Sequence, residues 1–457
     1  MKYGILLNKN NLNIGDDIQA YATAQFYPKV DYFIDRENML NFKTDDDKPV
    51  AVIMNAWYMW KKWNWPPSKY IYPLFVGFHY ADHQLAKQPG SPLKYEFLTG
   101  EGGAYLNAWG PVGCRDHFTE KNLKSIGVDA YFSGCITLTL PKQKAEDRGR
   151  YICVVDVDEK VTAQIKKQMK GTGIEVRVMT HNQKRNADRT WEQREADTVE
   201  RLTEYQNAIC VVTKRLHCAL PCLAMEVPVL LVKDMTDDIR FDPYYSFLHW
   251  VRPGDFLEGK CDYDFANPPE NKPDYKPVRE GLINRCKDFV ESVADDDRTA
   301  EEASKYKADE KTVLTWRVEA EKNAFEIWQK GLSDDARQFS EYQNEKWELM
   351  KQTGAYQKEY GFVKRLKHIY YKIIDATYKN MIPDYDAEWE KIDKAIGAAP
   401  DGDIEKLRYE DRRYRRMFNR LMDFAGRNFR GLRDCRREND RLRKGDKQKG
   451  VKYMRIW

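Results

Sequence analysis

The residues with the clearest chemical potential are Lys214, Arg215 and His217, which stand between a strand-like run (209–213) and a helix-like segment. A second apolar run, residues 227–232, follows that segment. In open α/β sheets, ligands bind beyond the carboxyl ends of strands, beside helix N-termini that attract anions. Two cations and a histidine at such a joint predict an anion-binding site. The alternative is a capped helix start with a structurally satisfied histidine.

Two more arginines stand just past predicted strands. Arg115 is followed by Asp116 at the end of the run Val112–Cys114, and Arg240 lies beyond the run that ends at Val232. We expect both arginines and Asp116 to contribute to the same site. The alternative for Arg115 and Asp116 is a surface ion pair, which stabilises a protein little.

Asn13, Gly15 and Asp16 form the turn after the first predicted strand, Lys2–Leu7. A strand, an Asn/Gly loop and a helix open many α/β ligand sites, and we expect these three residues to contact the ligand. An ordinary turn with an aspartate at the helix cap is the competing interpretation.

These residues must be positioned by α/β elements, because apolar strand-like runs alternate with helix-like segments up to residue 293. The pattern predicts an α/β fold with two Rossmann-like lobes facing each other across a cleft, and a mostly α-helical C-terminal extension. The predicted divisions are residues 1–143 for the N-terminal lobe, 144–295 for the lobe with the Arg-Leu-His motif, and 296–457 for the helical, basic extension.

The positive charge of the chain is concentrated in its tail. Residues 404–457 carry 19 Lys and Arg against 8 Asp and Glu, whereas the whole chain has a net charge of +4. With the basic amphipathic stretch 361–382, this tail predicts contact with an anionic membrane surface or a protein partner. The alternatives are that the apolar side of 361–382 packs on the rest of the chain, and that the tail binds nucleic acid, which its interspersed acidic residues disfavour.

Composition narrows the class of protein. Nine cysteines without a Cys-x-x-Cys pair fit a reduced compartment better than a disulfide framework or a zinc site. There is no apolar run of about 18 residues, and the apolar run near the start is too short for a signal peptide. We therefore expect a cytoplasmic protein, peripheral at the inner face of the plasma membrane, with no metal and no cofactor. The tryptophan-rich stretch 57–65 either stacks on a sugar or packs as a lid.

Four stretches of the chain, in this order, resemble the polysaccharide pyruvyl transferase family. They are NIGDDIQAYA, GPVGCRD with the later IGVDAYFSGCITLTLP, VVTKRLHCALPCLAMEVPVLLV, and IRF at 239–241. The resemblance covers about two-thirds of the chain, residues 1–293, and the Arg-Leu-His block is its most specific part. Many members have Asp-Pro where this chain has Ser133-Gly134-Cys135, which leaves the acceptor open.

The resemblance implies a two-lobed fold like that of the GT-B glycosyltransferases. It also implies transfer of the pyruvyl group of phosphoenolpyruvate to a sugar hydroxyl of a surface or capsular glycan precursor, in exopolysaccharide biosynthesis. That acceptor can be lipid-linked. The competing enzyme is a GT-B-type glycosyltransferase that uses a nucleotide sugar. A third interpretation is a non-catalytic protein that binds membranes or nucleic acid through the basic tail.

The resemblance also assigns roles to residues. Arg115 and Arg215 would clamp the carboxylate or phosphate of the donor. His217 would either protonate the methylene carbon or hold the phosphate as an imidazolium. Asp16 or Asp116 would accept the proton of the sugar hydroxyl, while Lys214 and Arg240 would add positive charge.

Overall fold

The computed structural model of the protein describes residues 1–8, 12–58, 65–80, 101–142, 149–182, 189–234, 239–307, 309–322, 325–326, 329 and 383–428. The chain forms two compact units, Met1–Ala308 and Asp309–Trp457. The strands of the first unit are β1 (Lys2–Leu7), β2 (Tyr32–Asp35), β3 (Val50–Ile53), β4 (Trp57–Tyr58), β5 (Ile71–Leu74), β6 (His79–Tyr80), β7 (Val112–Cys114), β8 (Ala130–Phe132), β9 (Tyr151–Val155), β10 (Glu175–Met179), β11 (Val211–Thr213), β12 (Val229–Val232) and β13 (His249–Val251).

The helices described in the first unit mostly lie between these strands. They are α1 (Ile14–Ala24), α2 (Glu101–Ala108), α3 (His117–Ser125), α4 (Glu159–Met169), α5 (Trp191–Gln206), α6 (Leu216–Ala224), α7 (Pro253–Leu257), α8 (Lys276–Val293) and α9 (Ala300–Ala303). Short 3-10 helices occupy Arg36–Asn41, Ile136–Thr139, Ile239–Tyr244 and Pro273–Tyr275.

Two parallel sheets organise this unit. The first has the strand order β2-β1-β3-β5 and the second β10-β9-β11-β12-β13. Strands β3, β9 and β12 are buried along their whole length, which explains why they are continuous apolar runs. In a parallel sheet the carboxyl ends of adjacent strands share one edge, so polar residues that follow the strands are brought together.

Two short parallel pairs, β4-β6 and β7-β8, accompany the sheets. Backbone hydrogen bonds join β7 to the segment after β5, since Gly113 N–H donates to the carbonyl of Phe75 and Arg115 N–H to that of Phe78, both at 2.9 Å. The backbone of Arg115 is therefore held on both sides, because its carbonyl also accepts from the hydroxyl of Tyr244 at 2.6 Å.

Helix α1 connects the residues around the first sheet to those around the second. The N–H of Ile14 donates to the carbonyl of His181 at 3.0 Å. Asp17 forms an ion pair with Arg194 of α5 at 3.2 Å, and both side chains are only 2% exposed. A buried ion pair tolerates the loss of neither partner, since the other would remain as an uncompensated charge. The start of α1 is thus fixed against α5.

The structure confirms a mixed α/β fold with parallel sheets. The predicted strand Lys2–Leu7 and helix Glu159–Met169 have the observed bounds. Strand β13 was not predicted, because its three residues are too few to show a period. The GT-B-like arrangement of two lobes and the divisions at 143/144 and 295/296 stay predictions.

The described part of the second unit is helical, as the composition predicts. Residues 310–322 are helical, followed by α10 (Tyr385–Ile396) and α11 (Asp403–Asn428). Several arginines of α11 bond to acids of the same unit, in the pairs Arg408–Glu310, Arg413–Asp393, Arg415–Asp411 and Arg420–Glu388. The predicted amphipathic helix 361–382 lies outside the described residues, as does the chain beyond residue 428.

Within the described ranges, no helix combines the length and the apolar character needed to cross a membrane. The cysteines that the structure describes are free thiols.

Candidate active site

Arg115, directly after β7, is a fully buried cation. Its exposed fraction is 0%, and Nη1 donates to Oε1 of Gln19 at 3.0 Å. In the part of the chain that the structure describes, its Nε and Nη2 have no hydrogen-bond partner and no carboxylate forms an ion pair with the guanidinium. Burying a charge without compensation costs several kcal/mol, on the order of 3–5 when a partner is removed. The position therefore favours an acceptor that comes from outside the described chain, and an anionic ligand fits that requirement.

His217 lies against Arg115 at the start of α6. Its Nε2 is 3.4 Å from Nη1 of Arg115, and its Nδ1 is 3.3 Å from Nε2 of Gln19. Both neighbours are nitrogen donors, so a protonated imidazole would have no acceptor here. Burial and the charges of Arg115 and Arg240 lower the pKa of His217 well below its usual value. His217 is consequently neutral at neutral pH in this state.

The first turn of α6 is distorted at His217, whose φ and ψ are −80° and 17°. Pro221 lacks the N–H that would bond to the carbonyl of His217 four residues earlier, which is compatible with this irregular start. Strand β11 ends at Thr213, and the chain turns through Lys214 to Arg215, the residue that caps the helix. The strand, turn and helix thus place His217 in the second helical position.

Gln19 of α1 joins the arginine to the histidine. Its Oε1 accepts from Nη1 of Arg115 and from Nδ2 of Asn55, at 3.0 and 3.1 Å. Its Nε2 lies 3.2 Å from both the carbonyl of Gly15 and Oδ1 of Asp16. Two donors therefore face the oxygen and two acceptors face the nitrogen, which fixes the orientation of the amide. The sequence pattern had not singled out Gln19, because an uncharged residue on the buried face of a helix carries no signal of its own.

Gly15 allows α1 to approach the histidine closely. A Cβ atom at Gly15 would lie 3.0 Å from Cβ and 3.1 Å from Nδ1 of His217. Asn13 caps α1 by accepting from the N–H of Gly15 at 2.9 Å, and it forms an antiparallel bridge with Asn182. The predicted residues Asn13 and Gly15 thus position α1 beside His217.

Lys214 and Arg215 bond to acids near the second sheet. Nε of Arg215 is 2.8 Å from Oδ2 of Asp156, and Nζ of Lys214 is 3.2 Å from Oδ1 of Asp158. Asp156 follows β9 and has a positive φ of 53°, which is uncommon for a residue other than glycine. The side chain of Arg215 is 33% exposed. Neither cation makes a hydrogen bond to His217 or Arg115 among the described contacts.

Asp116 forms a buried pair with a histidine that sequence reasoning missed. Its Oδ2 is 2.6 Å from Nδ1 of His79, and its Oδ1 accepts from the N–H of Thr119 at 2.8 Å, which caps α3. Both side chains are 0% exposed. Burial lowers the pKa of His79 to about 4, although Asp116 opposes that shift. In the sequence, only its place as the last residue of the predicted strand Ile71–His79 could have marked His79.

Arg240 lies near both histidines. Its guanidinium is 4.6 Å from the ring centroid of Trp57, a cation–π contact, and the Trp57 ring packs at 5.4 Å from that of His79. The charge of Arg240 contributes to the lowered pKa of His79 and of His217. Arg240 therefore adds positive potential to the region that Arg115 occupies.

The free energy of unfolding should decrease on acidification because of His79. Its pKa is about 4 in the folded protein and about 6.5 in an unfolded chain. The unfolded chain therefore binds more protons than the folded protein between these values, and the free energy of unfolding decreases as the pH is lowered. We expect His79 to account for a loss of about 2 kcal/mol between about pH 7 and about pH 5. Carboxylates whose pKa is lowered in the folded protein lose their stabilising contribution mainly at pH values below this window.

Urea unfolding at both pH values measures this loss, with His79→Asn as the comparison, since its amide can still donate to Asp116. Between the two pH values, the free energy of unfolding of the variant should decrease by about 2 kcal/mol less than that of the unaltered protein. An identical pH dependence in the two proteins would contradict the assignment.

The described site can bind a small anion and transfer a proton. Arg115 supplies a buried cation, and His217 supplies a titratable group whose protonation depends on what binds beside it. In the ranges that the structure describes, no group of three or more His, Cys, Asp or Glu residues is arranged to hold a metal ion.

One comparison with known proteins gives a match. Residues 13–233 match the family model described as polysaccharide pyruvyl transferase. That range includes Arg115, His217 and Gln19, but not Arg240. No curated protein and no solved structure matches the chain. Over residues 13–233 the chain is therefore similar to the polysaccharide pyruvyl transferase family, and this similarity identifies it as a transferase.

Proposed function

We propose that the protein transfers the pyruvyl group of phosphoenolpyruvate to a sugar hydroxyl of a surface or capsular glycan precursor in the cytoplasm. The observation that carries this proposal is the buried guanidinium of Arg115, whose Nε and Nη2 have no partner among the described residues and which lies beside a neutral His217. Phosphoenolpyruvate is a small anion whose carboxylate and phosphate offer the acceptor oxygens that this pair lacks. The match of residues 13–233 to the polysaccharide pyruvyl transferase family model supports transfer of a pyruvyl group.

The geometry of Arg115 suits an oxyanion. Nε and Nη2 lie on the same edge of a guanidinium group, so they can donate two parallel hydrogen bonds to one carboxylate or phosphate. Because the group is enclosed, a ligand can reach it only if neighbouring side chains move aside. Arg215 could join it by exchanging its bond with Asp156 for one with the ligand.

In this proposal His217 becomes the proton donor once the donor substrate is bound. An anion beside the imidazole favours the protonated form and raises its pKa. The imidazolium then gives its proton to the methylene carbon, and the electron-poor C2 is attacked by a sugar hydroxyl. After a second hydroxyl attacks and the bond from C2 to the phosphate oxygen breaks, the products are a pyruvyl ketal and inorganic phosphate. The proton of one hydroxyl replaces the proton that His217 gave to the methylene carbon, and the proton of the second hydroxyl leaves with phosphate.

Ligand-dependent stabilisation tests the donor. We expect phosphoenolpyruvate to raise the melting temperature of the full chain by several degrees at saturating concentrations, because a ligand at about 100 times its Kd adds about 2.7 kcal/mol. UDP-glucose should not. Stabilisation by UDP-glucose with no response to phosphoenolpyruvate would overturn the proposal in favour of a nucleotide-sugar glycosyltransferase.

Calorimetry can detect the protonation of His217. At about pH 8 the phosphate group is fully ionised, its second pKa being about 6, so protons taken up on binding go to the protein. Titrations in two buffers of different ionisation enthalpy should show net uptake, and His217→Gln should remove it. Binding without any uptake would assign His217 to a role other than proton donor.

A methyl group at Gly15 should disturb this site without unfolding the protein. Gly15→Ala places Cβ 3.0 Å from Cβ of His217, so the imidazole must shift by a few tenths of an ångström. We expect kcat/KM to fall about tenfold, equivalent to about 1.4 kcal/mol. Gly281→Ala in α8 is the matched control, since its Cβ would meet nothing within 4 Å. The control should retain activity and gain up to about 1 kcal/mol of stability. Equal activity in both variants would contradict the contact.

We further propose that the two parallel sheets belong to two Rossmann-like lobes of the GT-B kind, residues 1–143 and 144–295. The arrangement is supported by the origin of the site, since Arg115 follows a strand associated with the first sheet and His217 follows a strand of the second. Arg240 comes from the 3-10 helix beyond β12.

Contact of the tail with an anionic membrane surface, through 361–382 and 404–457, is also proposed. Its support is the basic composition of the sequence. The ion pairs of Arg408, Arg413, Arg415 and Arg420 reduce the charge that α11 offers to a partner. Failure of the full chain to sediment with anionic vesicles at low salt would refute this contact.

A further inference from the structure

The buried amide of Gln19 can take only one of its two orientations, and a backbone group decides which. The N–H of Ile136 donates to Oδ1 of Asn55 at 3.2 Å, so Nδ2 of Asn55 is the atom that faces Gln19, at 3.1 Å. Arg115 supplies a second donor to the same oxygen, Oε1, at 3.0 Å. A backbone N–H and a guanidinium group can only donate. The oxygen of Gln19 must therefore face Asn55 and Arg115, and its nitrogen must face His217.

The nitrogen of Gln19 gives the imidazole of His217 a donor and no acceptor. Nε2 lies 3.3 Å from Nδ1 of His217, and it also lies 3.2 Å from the carbonyl of Gly15 and from Oδ1 of Asp16. On the other side of the ring, Nη1 of Arg115 is 3.4 Å from Nε2 of the imidazole. A protonated imidazole donates from both nitrogens, and both of these neighbours are donors as well. Gln19 thus disfavours the second proton on His217 in the ligand-free protein.

The charged surroundings of His217 act in the same direction. Burial and four basic groups keep its pKa well below the usual value. The four groups are the side chains of Arg115, Arg240, His181 and His79. The acid that α1 brings to this region is Asp16, whose Oδ1 lies against Gln19 and whose Oδ2 is 3.4 Å from Arg36. Among the described contacts, this carboxylate reaches the amide of Gln19 rather than the imidazole.

The same amide decides which edge of the Arg115 guanidinium a ligand can use. Nη1 of Arg115 donates to Gln19 and lies against His217, whereas Nε and Nη2 have no partner among the described residues. Those two atoms form an edge that can donate two parallel hydrogen bonds to an oxyanion. Because Gln19 is uncharged, it holds the guanidinium in place without neutralising it. The positive charge therefore remains available to an anion.

We propose that Gln19 is a positioning residue that makes protonation of His217 conditional on a bound anion. This role rests on the proposed pyruvyl transfer. The oxygen of Gln19 holds Arg115 so that its unpartnered edge faces the ligand, and the nitrogen denies the imidazole an acceptor. A phosphate or carboxylate oxygen of the donor then supplies the acceptor that the imidazole lacks. His217 takes its proton from solvent as the donor binds, and the acid is formed only where a pyruvyl group is present to receive the proton.

Replacing the amide by a carboxylate of the same shape tests this role on the full chain. In Gln19→Glu an anionic acceptor would face His217, so the imidazole should be protonated at about pH 7 without any ligand. NMR of the imidazole nitrogens distinguishes the two charge states, and the His217 signals are those that disappear in His217→Gln. In the unaltered protein His217 should be neutral until saturating phosphoenolpyruvate is added. Gln168→Glu, on the exposed face of α4, is the matched control and should leave these signals unchanged.

Donor binding gives a second readout, measured by titration calorimetry. The carboxylate of Gln19→Glu would pair with Arg115, so the Kd for phosphoenolpyruvate should rise at least about tenfold, whereas Gln168→Glu should change it less than about twofold. Gln19→Met has a similar size but no donor or acceptor. It should also weaken binding about tenfold, as expected for the loss of one hydrogen bond to a charged group. His217 should stay neutral in this variant, which separates the effect of the carboxylate from disturbed packing.

Two results would overturn the role of Gln19. One is a His217 that is already protonated at about pH 7 in the unaltered, ligand-free protein. The other is an unchanged charge state and an unchanged Kd in Gln19→Glu or, if that variant does not fold, an unchanged Kd in Gln19→Met. The charge of His217 without ligand is measured independently of the donor. Failure of the unaltered chain to bind phosphoenolpyruvate would instead refute the proposed function.

Discussion

Replacing Arg115 by alanine is expected to lower kcat/KM for phosphoenolpyruvate about 1,000-fold, with most of the loss appearing as weaker binding. The variant removes the Nε and Nη2 donors proposed to hold the anion. Hydrogen bonds to a charged group contribute about 1.5–3 kcal/mol each, so the loss of two amounts to about 4 kcal/mol. Titration calorimetry and steady-state phosphate release measure the two effects.

The stability of this variant distinguishes a binding arginine from a structural one. Arg115→Ala removes a buried charge that lacks an acidic partner, so the ligand-free protein should stay within about 1 kcal/mol of the original. Arg115→Lys should recover little binding, because an ammonium cannot donate the two parallel bonds. Arg177→Ala is the surface control, since its partner is the exposed Glu175. Strong destabilisation with retained binding would contradict the assignment.

Replacing His217 by glutamine should lower kcat about 1,000-fold while leaving the Kd for phosphoenolpyruvate within about tenfold. General acid catalysis contributes about 100- to 10,000-fold, and glutamine retains a polar group but cannot supply a proton. This division between kcat and binding separates a proton donor from a phosphate ligand, whose loss would mainly weaken binding.

Isotope incorporation gives a second measure of the same role. In deuterated water the unaltered protein should produce a pyruvyl methyl group that carries deuterium, and His217→Gln should form this product only slowly. His117→Gln is the control, because that histidine is exposed and paired with Glu120. If His217→Gln turned over normally, another residue would have to deliver the proton.

The positions of Arg115 and His217 could be predicted because both stand at strand ends in parallel sheets, where the fold concentrates ligand contacts. Their contact at 3.4 Å could not be predicted, because it depends on how helix α1 and the two sheets pack. Gly15 was predicted as a ligand contact from its turn, whereas the structure places it against His217.

The pairing of charges was the least predictable part of the site. Arg215 was expected to face an anion and bonds to Asp156, an acid that directly follows β9 and so carried the same strand-end signal. His79 was overlooked because it is a single polar residue at the end of a predicted strand, Ile71–His79. Its importance comes from its burial against Asp116, and burial depends on residues distant in the sequence.

A crystal structure of the full chain with phosphoenolpyruvate would show whether Arg115 binds the donor. Oxygens of its carboxylate or phosphate should lie within hydrogen-bond distance of Nε and Nη2 of Arg115, with the methylene carbon facing His217. Phosphoenolpyruvate bound elsewhere, with the guanidinium of Arg115 still lacking an acceptor, would contradict this role of Arg115.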